Sequence, residues 1–354
     1  MQSPPTTPSV AQLTSFFRQN HGRRVHIEFH PSPPAGVPAE LKIHETNIAI
    51  PKLILLEAFA GARVAFAAAA ADAQSVLDSS LVLLLIAPEN FTAVNARRRI
   101  VSARGADAAR DEAKLLESLL TSPLQKHNKS SVLWDYRRWL VEEYGAEDGG
   151  SLEGELKVVE MAGESHPRNY YVSWWTLVCA RGLCRFNDSG WQAWNYARFI
   201  TSYMLKKNTG GARLEQLLDR QARFCLAHVS DTSAWSFLVF LFFLTLEVPG
   251  RSFQEQLVEI TFEAMEFAHG IARGHESAWV FLRTVLASRW LLEERKREEL
   301  IALVVGWVGE GGEGEEAVRE RELEGRALKW IARRSQAESE LHERESASRA
   351  CGMK

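Results

Sequence analysis

The chain has 354 residues, 46% of them apolar and 25% charged, which is enough apolar material for one large core or two smaller ones and excludes a disordered tail. The 42 basic and 45 acidic residues leave a formal net charge of -3, no field for wrapping DNA or RNA. The apolar runs "LVLLLIA" from Leu81 and "FLVFLFFLTLEV" from Phe237 fall short of the roughly 20 residues a bilayer demands and read as buried helices. There is no signal-peptide pattern at the N-terminus and only four cysteines, Cys179, Cys184, Cys225 and Cys351, so a cytoplasmic setting is expected.

Seven of the twelve prolines precede Leu41, so residues 1–50 read as an irregular, Pro-rich segment with a short helix near Ala11 to Gln19. From Pro51 to Val308 prolines and glycines are few, alanines and leucines many, and no long alternating pattern occurs, which predicts helix after helix. The expected class is all-α. Residues 309–354 open with a Gly/Glu break and continue as a charged helix former, expected to be a solvated helical tail. Cys351 stands where a prenylation box has its cysteine, but Gly352, Met353 and a final Lys354 do not fit the rest of such a box.

Between these ends five segments align on one aromatic column: "NFTAVNARR" from Asn90, "SSVLWDYRR" from Ser130, "NYY…AWNYAR" from Asn169, "DTSAWSFLV" from Asp231 and "HESAWVFLR" from His275. The column holds Val94, Trp134, Trp194, Trp235 and Trp279. Four places before it, once the gap in the third segment is closed, stand Asn90, Ser130, Asn169, Asp231 and His275, the first four being good helix N-caps. Four places after it stand Arg98, Arg138, Arg198, Val239 and Arg283. Cap, aromatic and arginine then share one helical stripe, with the aromatic filling the seam between stacked hairpins. The arginine is expected to lay its stem on that ring and reach a carbonyl or carboxylate of the neighbouring hairpin. This pattern predicts a right-handed α-α superhelix of antiparallel hairpins with about five recognisable repeats.

Column spacings are 40, 60, 41 and 44 residues. Removing the 21 residues from Val172 to Gln192 shortens the long interval to 39 and restores "HPRNYY-AWNYARF". That segment reads as a retained intron, since Val-Ser is encodable by a splice-donor GTGAGT and Gln by an acceptor CAG, or else as a loop insertion. It carries "CARGLC", with Cys179 and Cys184 as a weak metal or redox pair.

On "NFTAVNARR", "WDYRRWL", "HPRNYY…AWNYARF" and "HESAW", the chain resembles the α subunits of protein prenyltransferases, over about Asn90 to Arg283. The phrasing is most similar to the α-subunit-repeat proteins of the third geranylgeranyltransferase type. The resemblance implies a transferase heterodimer, inactive without its β subunit, in which that partner holds the zinc, the isoprenoid diphosphate and a protein substrate with a C-terminal cysteine, while this chain binds no cofactor itself. It further implies that Lys129 faces the diphosphate, with Arg168, Tyr170 and Tyr171 of "RNYY" supplying basic and phenolic groups beside it. The family's Asn-Tyr pair after that lysine is Ser130-Ser131 here. The chain's own nearest metal set, His26 and His30 with Glu28, lacks a third convincing ligand. A non-enzymatic helical-repeat adaptor is the alternative; tetratricopeptide repeats, with a period of about 34, fit poorly.

Overall fold

The computed structural model describes residues 8–32, 34, 37–68, 72–145, 152–164, 192–206, 211–250, 252–309 and 315–351. They form an all-α, helical-repeat protein with little strand. The described residues divide into two compact units, one made of those up to 164 together with 192–201, the other of those from 202 onward.

The first unit opens with α1 (Pro8–Gln19), in which Pro8 takes the first helical position, where a missing N–H costs nothing. Val10, Leu13 and Phe16 bury one face against α2 (Lys52–Ala68) and α3 (Ala73–Ile86). The described residues among the first 50 are thus less irregular than their prolines suggest. Strands β1 (His26–His30), β2 (Lys42–His44) and β3 (Asn47–Pro51) make a sheet in the order β1-β3-β2, with β1 parallel and β2 antiparallel to β3. Ile27 pairs with Ile48, and both are buried with Ile50, so the apolar residues of β1 and β3 fall on one face by simple alternation. Three-to-five-residue strands between proline clusters are too short to stand out in sequence.

Helix α3 takes the "LVLLLIA" run into the core, with Leu81 to Leu85 buried, and Asp72 caps its start through the N–H groups of Gln74 and Ser75. Helices α4 (Phe91–Arg104) and α5 (Ala106–Leu120) make a hairpin through Gly105 alone, whose φ of 82° is a conformation that glycine adopts without strain. A short α6 (Gln125–Asn128) leads to α7 (Ser131–Tyr144), followed by α8 (Leu152–Glu164). The first residues of α9 (Gln192–Lys206) complete this unit.

In the second unit α10 (Gly211–Ala227) packs with α11 (Thr232–Thr245), the second apolar run, nearly all of it buried. Helix α12 (Gln254–Glu266) runs into a π-helical turn, Phe267–Ile271, before α13 (Glu276–Ala287) and α14 (Glu294–Gly309). No described helix is long and apolar enough to cross a membrane.

The tail differs from expectation. The first turns of helix α15 (Glu315–Cys351), through Ile331, are not a free solvated rod: they pack along α13 and α14. Glu320, Leu323, Glu324, Ala327 and Ile331, at positions i, i+3, i+4, i+7 and i+11 along one helical face, are buried. Glu320 accepts a 2.6 Å hydrogen bond from the Trp279 indole and another from the Gly274 N–H, while Glu324 meets His269 Nδ1 at 2.8 Å. The buried stripe contains two glutamates, and this is why composition alone marks the segment as solvent-facing.

Candidate functional site: the repeat seam and the Lys129 turn

The repeat register becomes a set of recurring contacts. Asn90 accepts from Ala93 N, Ser130 from Leu133 N, and Asp231 from both Ser233 N and Ala234 N; His275 holds the same place without a side-chain cap bond. Val94, Trp134, Trp194, Trp235 and Trp279 are all buried. Trp134 lies 5.1 Å from Tyr196, two places past the next column residue, and Trp235 lies 5.1 Å from Phe281, again two places past its successor. Each indole N–H of this pair donates to the carbonyl six residues back, Trp134 to Asn128 and Trp235 to Val229.

The arginines divide the work differently from the sequence expectation. Those four places after the column lie over aromatic rings further along the chain: Arg98 over Tyr136 and Trp139 at 5.3 and 5.5 Å, Arg138 over Phe199 at 4.4 Å, and Arg283 over Trp330 of α15 at 5.5 Å. Arg198 donates to Asn195 on its own helix. The carboxylate is reached from one place earlier, because a residue three after the column is rotated about 100° toward the second helix of its own hairpin. Arg97 grips Glu112 at 2.6 and 2.7 Å and also donates to Leu77 O and Ser80 Oγ of α3. Arg137 grips Glu155 at 2.6 and 2.8 Å and donates to Ala113 O of α5.

Both pairs are buried, and although burial pulls a guanidinium down, the facing carboxylate holds Arg97 and Arg137 above the usual arginine value. Tyr196 adds a third member by donating its hydroxyl to Glu155 at 2.6 Å; burial, then the Glu155 charge, push its phenol well above the ordinary range. Tyr136 is pushed up the same way, by burial and then by Glu112. Each glutamate sits inside a shell of donors, and through Glu155 the three successive helices α7, α8 and α9 are tied together.

Lys129 sits at the turn entering α7. Its N–H donates to Gln125 O at 2.9 Å, closing α6, and Ser130 then caps α7. The neighbours are pinned from below. His127 is fully buried, its Nε2 donating to Leu84 O at 3.2 Å and its Nδ1 hydrogen-bonded with Ser122 Oγ at 3.0 Å. Burial, with the Lys126 charge beside it, draws the His127 pKa down to about 4. Asn128 donates to Ala162 O at 2.5 Å and accepts from Trp134, and Ser130 Oγ donates to Pro88 O at 3.1 Å. Lys126 caps α3 by donating to Ile86 O at 2.6 Å, and burial lowers its pKa. The result is a rigid turn presenting a half-buried lysine, Lys129, beside a second lysine that is already engaged.

Among known proteins the chain is similar to protein ECM9 of Saccharomyces cerevisiae, 26% identical over 214 residues, which cover 56% of this chain and 50% of that protein. It spans about half the length of that curated relative. No protein-family model matches the chain.

The structure therefore places Lys129, whereas Asn169 and the residues expected beside the lysine, Arg168, Tyr170 and Tyr171, lie outside the described residues, as do Val172 to Trp191 with Cys179 and Cys184. His26, Glu28 and His30 lie on one exposed face of β1, Glu28 standing 3.4 and 3.3 Å from the two imidazoles. No cluster of three or more His, Cys, Asp or Glu among the described residues is arranged to hold a metal. Sequence reasoning passed over Arg97, Arg137, Glu112, Glu155 and Tyr196. The available signal was the Arg-Arg doublet in two repeats, in which the second arginine drew attention and the first makes the ion pair.

Proposed function

We propose that this chain is the α-type subunit of a heterodimeric protein prenyltransferase, most similar in its repeats to the geranylgeranyl-transferring kind. It scaffolds a β subunit that carries the zinc and binds the isoprenoid diphosphate and a protein ending in a reactive cysteine. What carries the reading is the cap–tryptophan–arginine register, recurring on successive hairpins together with the phrases "HPRNYY" and "HESAW". The chemistry asked of this subunit is electrostatic. A departing diphosphate develops negative charge, and fixed cations and phenols lower that barrier without reorganising. Lys129, on its pinned turn, suits that task, with Arg168, Tyr170 and Tyr171 as its partners in the reading.

One feature favours a second reading, a non-enzymatic helical-repeat adaptor. Ser131 stands where the family has a tyrosine beside the lysine, and its hydroxyl is turned to Glu89. Affinity purification of the full chain separates the two. Recovery of a zinc-containing α/α-barrel partner, and transfer of labelled geranylgeranyl from its diphosphate to a cysteine-terminated protein by the reconstituted pair, supports the transferase. A stable complex with a different kind of protein, and no transfer, supports the adaptor.

A further inference from the structure

The first unit contains a cleft of about 690 Å³, within the ~300–1,000 Å³ range of small-molecule sites. It is walled by α1 and the turn after it on one side, by α4 and α5 on the other, and by α3. Its apolar lining includes Phe17, Leu77, Leu81, Ile100, Val101 and Leu115.

Four arginines and four carboxylates line the cleft, and assigning their partners leaves two of the arginines without a carboxylate among the described residues. Asp78 is held by Arg18, Asp111 faces His21 at 3.3 Å, Glu112 is gripped by Arg97, and Asp107 is held by Arg110. Each lining carboxylate thus has a basic side chain beside it. Arg23 and Arg104 also line the cleft, both are exposed and so stand at its opening, and neither has an acidic partner among the described residues. An apolar chamber with two uncommitted guanidiniums at its mouth suits a molecule with an apolar body and an anionic head, since a guanidinium matches a phosphate or carboxylate by paired hydrogen bonds.

We propose that this cleft binds a single-chain anionic amphiphile, its chain against Phe17, Leu77 and Ile100 and its phosphate- or carboxylate-type head between Arg23 and Arg104. The site is independent of any β subunit, so its test does not depend on the transferase reading.

The experiment is calorimetric titration of the full chain, alone, with dodecyl phosphate and dodecanoate below their micelle-forming concentrations. Dodecyltrimethylammonium and inorganic pyrophosphate serve as controls for head charge and for the tail, and phosphatidic-acid vesicles test a membrane source. Expected are saturable one-to-one binding of the anionic amphiphiles, little of either control, and no stronger capture by vesicles. The exposed double variant R23E/R104E should weaken binding on the order of 100-fold, as loss of two charge-assisted contacts implies, with unchanged circular dichroism and melting. Ile100→Trp, which narrows the chamber without touching the head, should weaken dodecyl phosphate and leave the faint pyrophosphate signal alone. Equal affinity for the cationic amphiphile, pyrophosphate binding as tightly as dodecyl phosphate, indifference to R23E/R104E, or preference for vesicles would overturn the proposal.

Discussion

Arg137 holds Glu155 through two hydrogen bonds of 2.6 and 2.8 Å with almost no solvent around either side chain. The pair is the hub of its repeat: it ties α7 to α8, reaches back to Ala113 O of α5 and forward to the Tyr196 hydroxyl of α9. Glu155→Ala leaves a buried guanidinium unpaired and should cost about 3–5 kcal/mol. The double variant Arg137→Leu with Glu155→Leu should recover part of that loss, since no charge is stranded. Urea unfolding followed by tryptophan fluorescence reads both. A double variant as unstable as the single one would show that hydrogen bonds to Ala113 and Tyr196, not the ion pair, dominate.

His127 predicts an acid-sensitive first unit. Its folded pKa of about 4 lies below the ordinary value of 6.5, so between these pH values the unfolded chain binds a proton that the folded one refuses. Stability is therefore complete above pH ~6.5 and falls as the pH drops toward ~4, by roughly 3 kcal/mol in all. His127→Gln keeps a donor and an acceptor near Leu84 O and Ser122 Oγ but cannot titrate. Its unfolding free energy, measured in urea from pH 7 to 4.5, should lack this part of the slope, and parallel curves for the two proteins would remove His127 as the cause.

The caps offer an internal comparison. Asp231 is buried and accepts from two N–H groups at the start of α11, whereas His275 occupies the same register position at α13 without a cap bond. Asp231→Ala should cost about 1–2 kcal/mol. His275→Ala should change stability by no more than about 0.5 kcal/mol. Thermal melts of the two variants test the ranking, which fails if the histidine variant loses as much.

Which features could be read from the sequence follows from how local their causes are. A cap and the column residue four places on belong to one helical turn, so Asn90, Ser130, Asp231 and the column from Val94 to Trp279 announce themselves by spacing. Glu112 and Glu155 stand 15 and 18 residues beyond their arginines on another helix, and nothing local distinguishes them from the other glutamates on those helices. The same holds for Glu320 and Glu324: burial turns them into acceptors for Trp279 and His269, and composition sees only charge. Arg23 and Arg104 gain their interest only when folding brings the turn after α1 beside the end of α4.

Lys129 supplies the last prediction, and it rests on the transferase reading. Its backbone is fixed by Gln125 O, while its neighbours Asn128 and Ser130 anchor the turn, so removing its side chain should leave the fold intact. In a reconstituted heterodimer, Lys129→Ala should lower kcat by more than it raises KM, because a cation that meets charge developing on the leaving diphosphate acts in the transition state rather than in substrate binding. Lys126→Ala is the matched control: its ammonium is spent on Ile86 O, so its loss should appear in thermal stability and leave turnover alone. Steady-state kinetics and melting curves on both variants decide between the roles, and unchanged turnover for Lys129→Ala would confine this lysine to the surface of the turn.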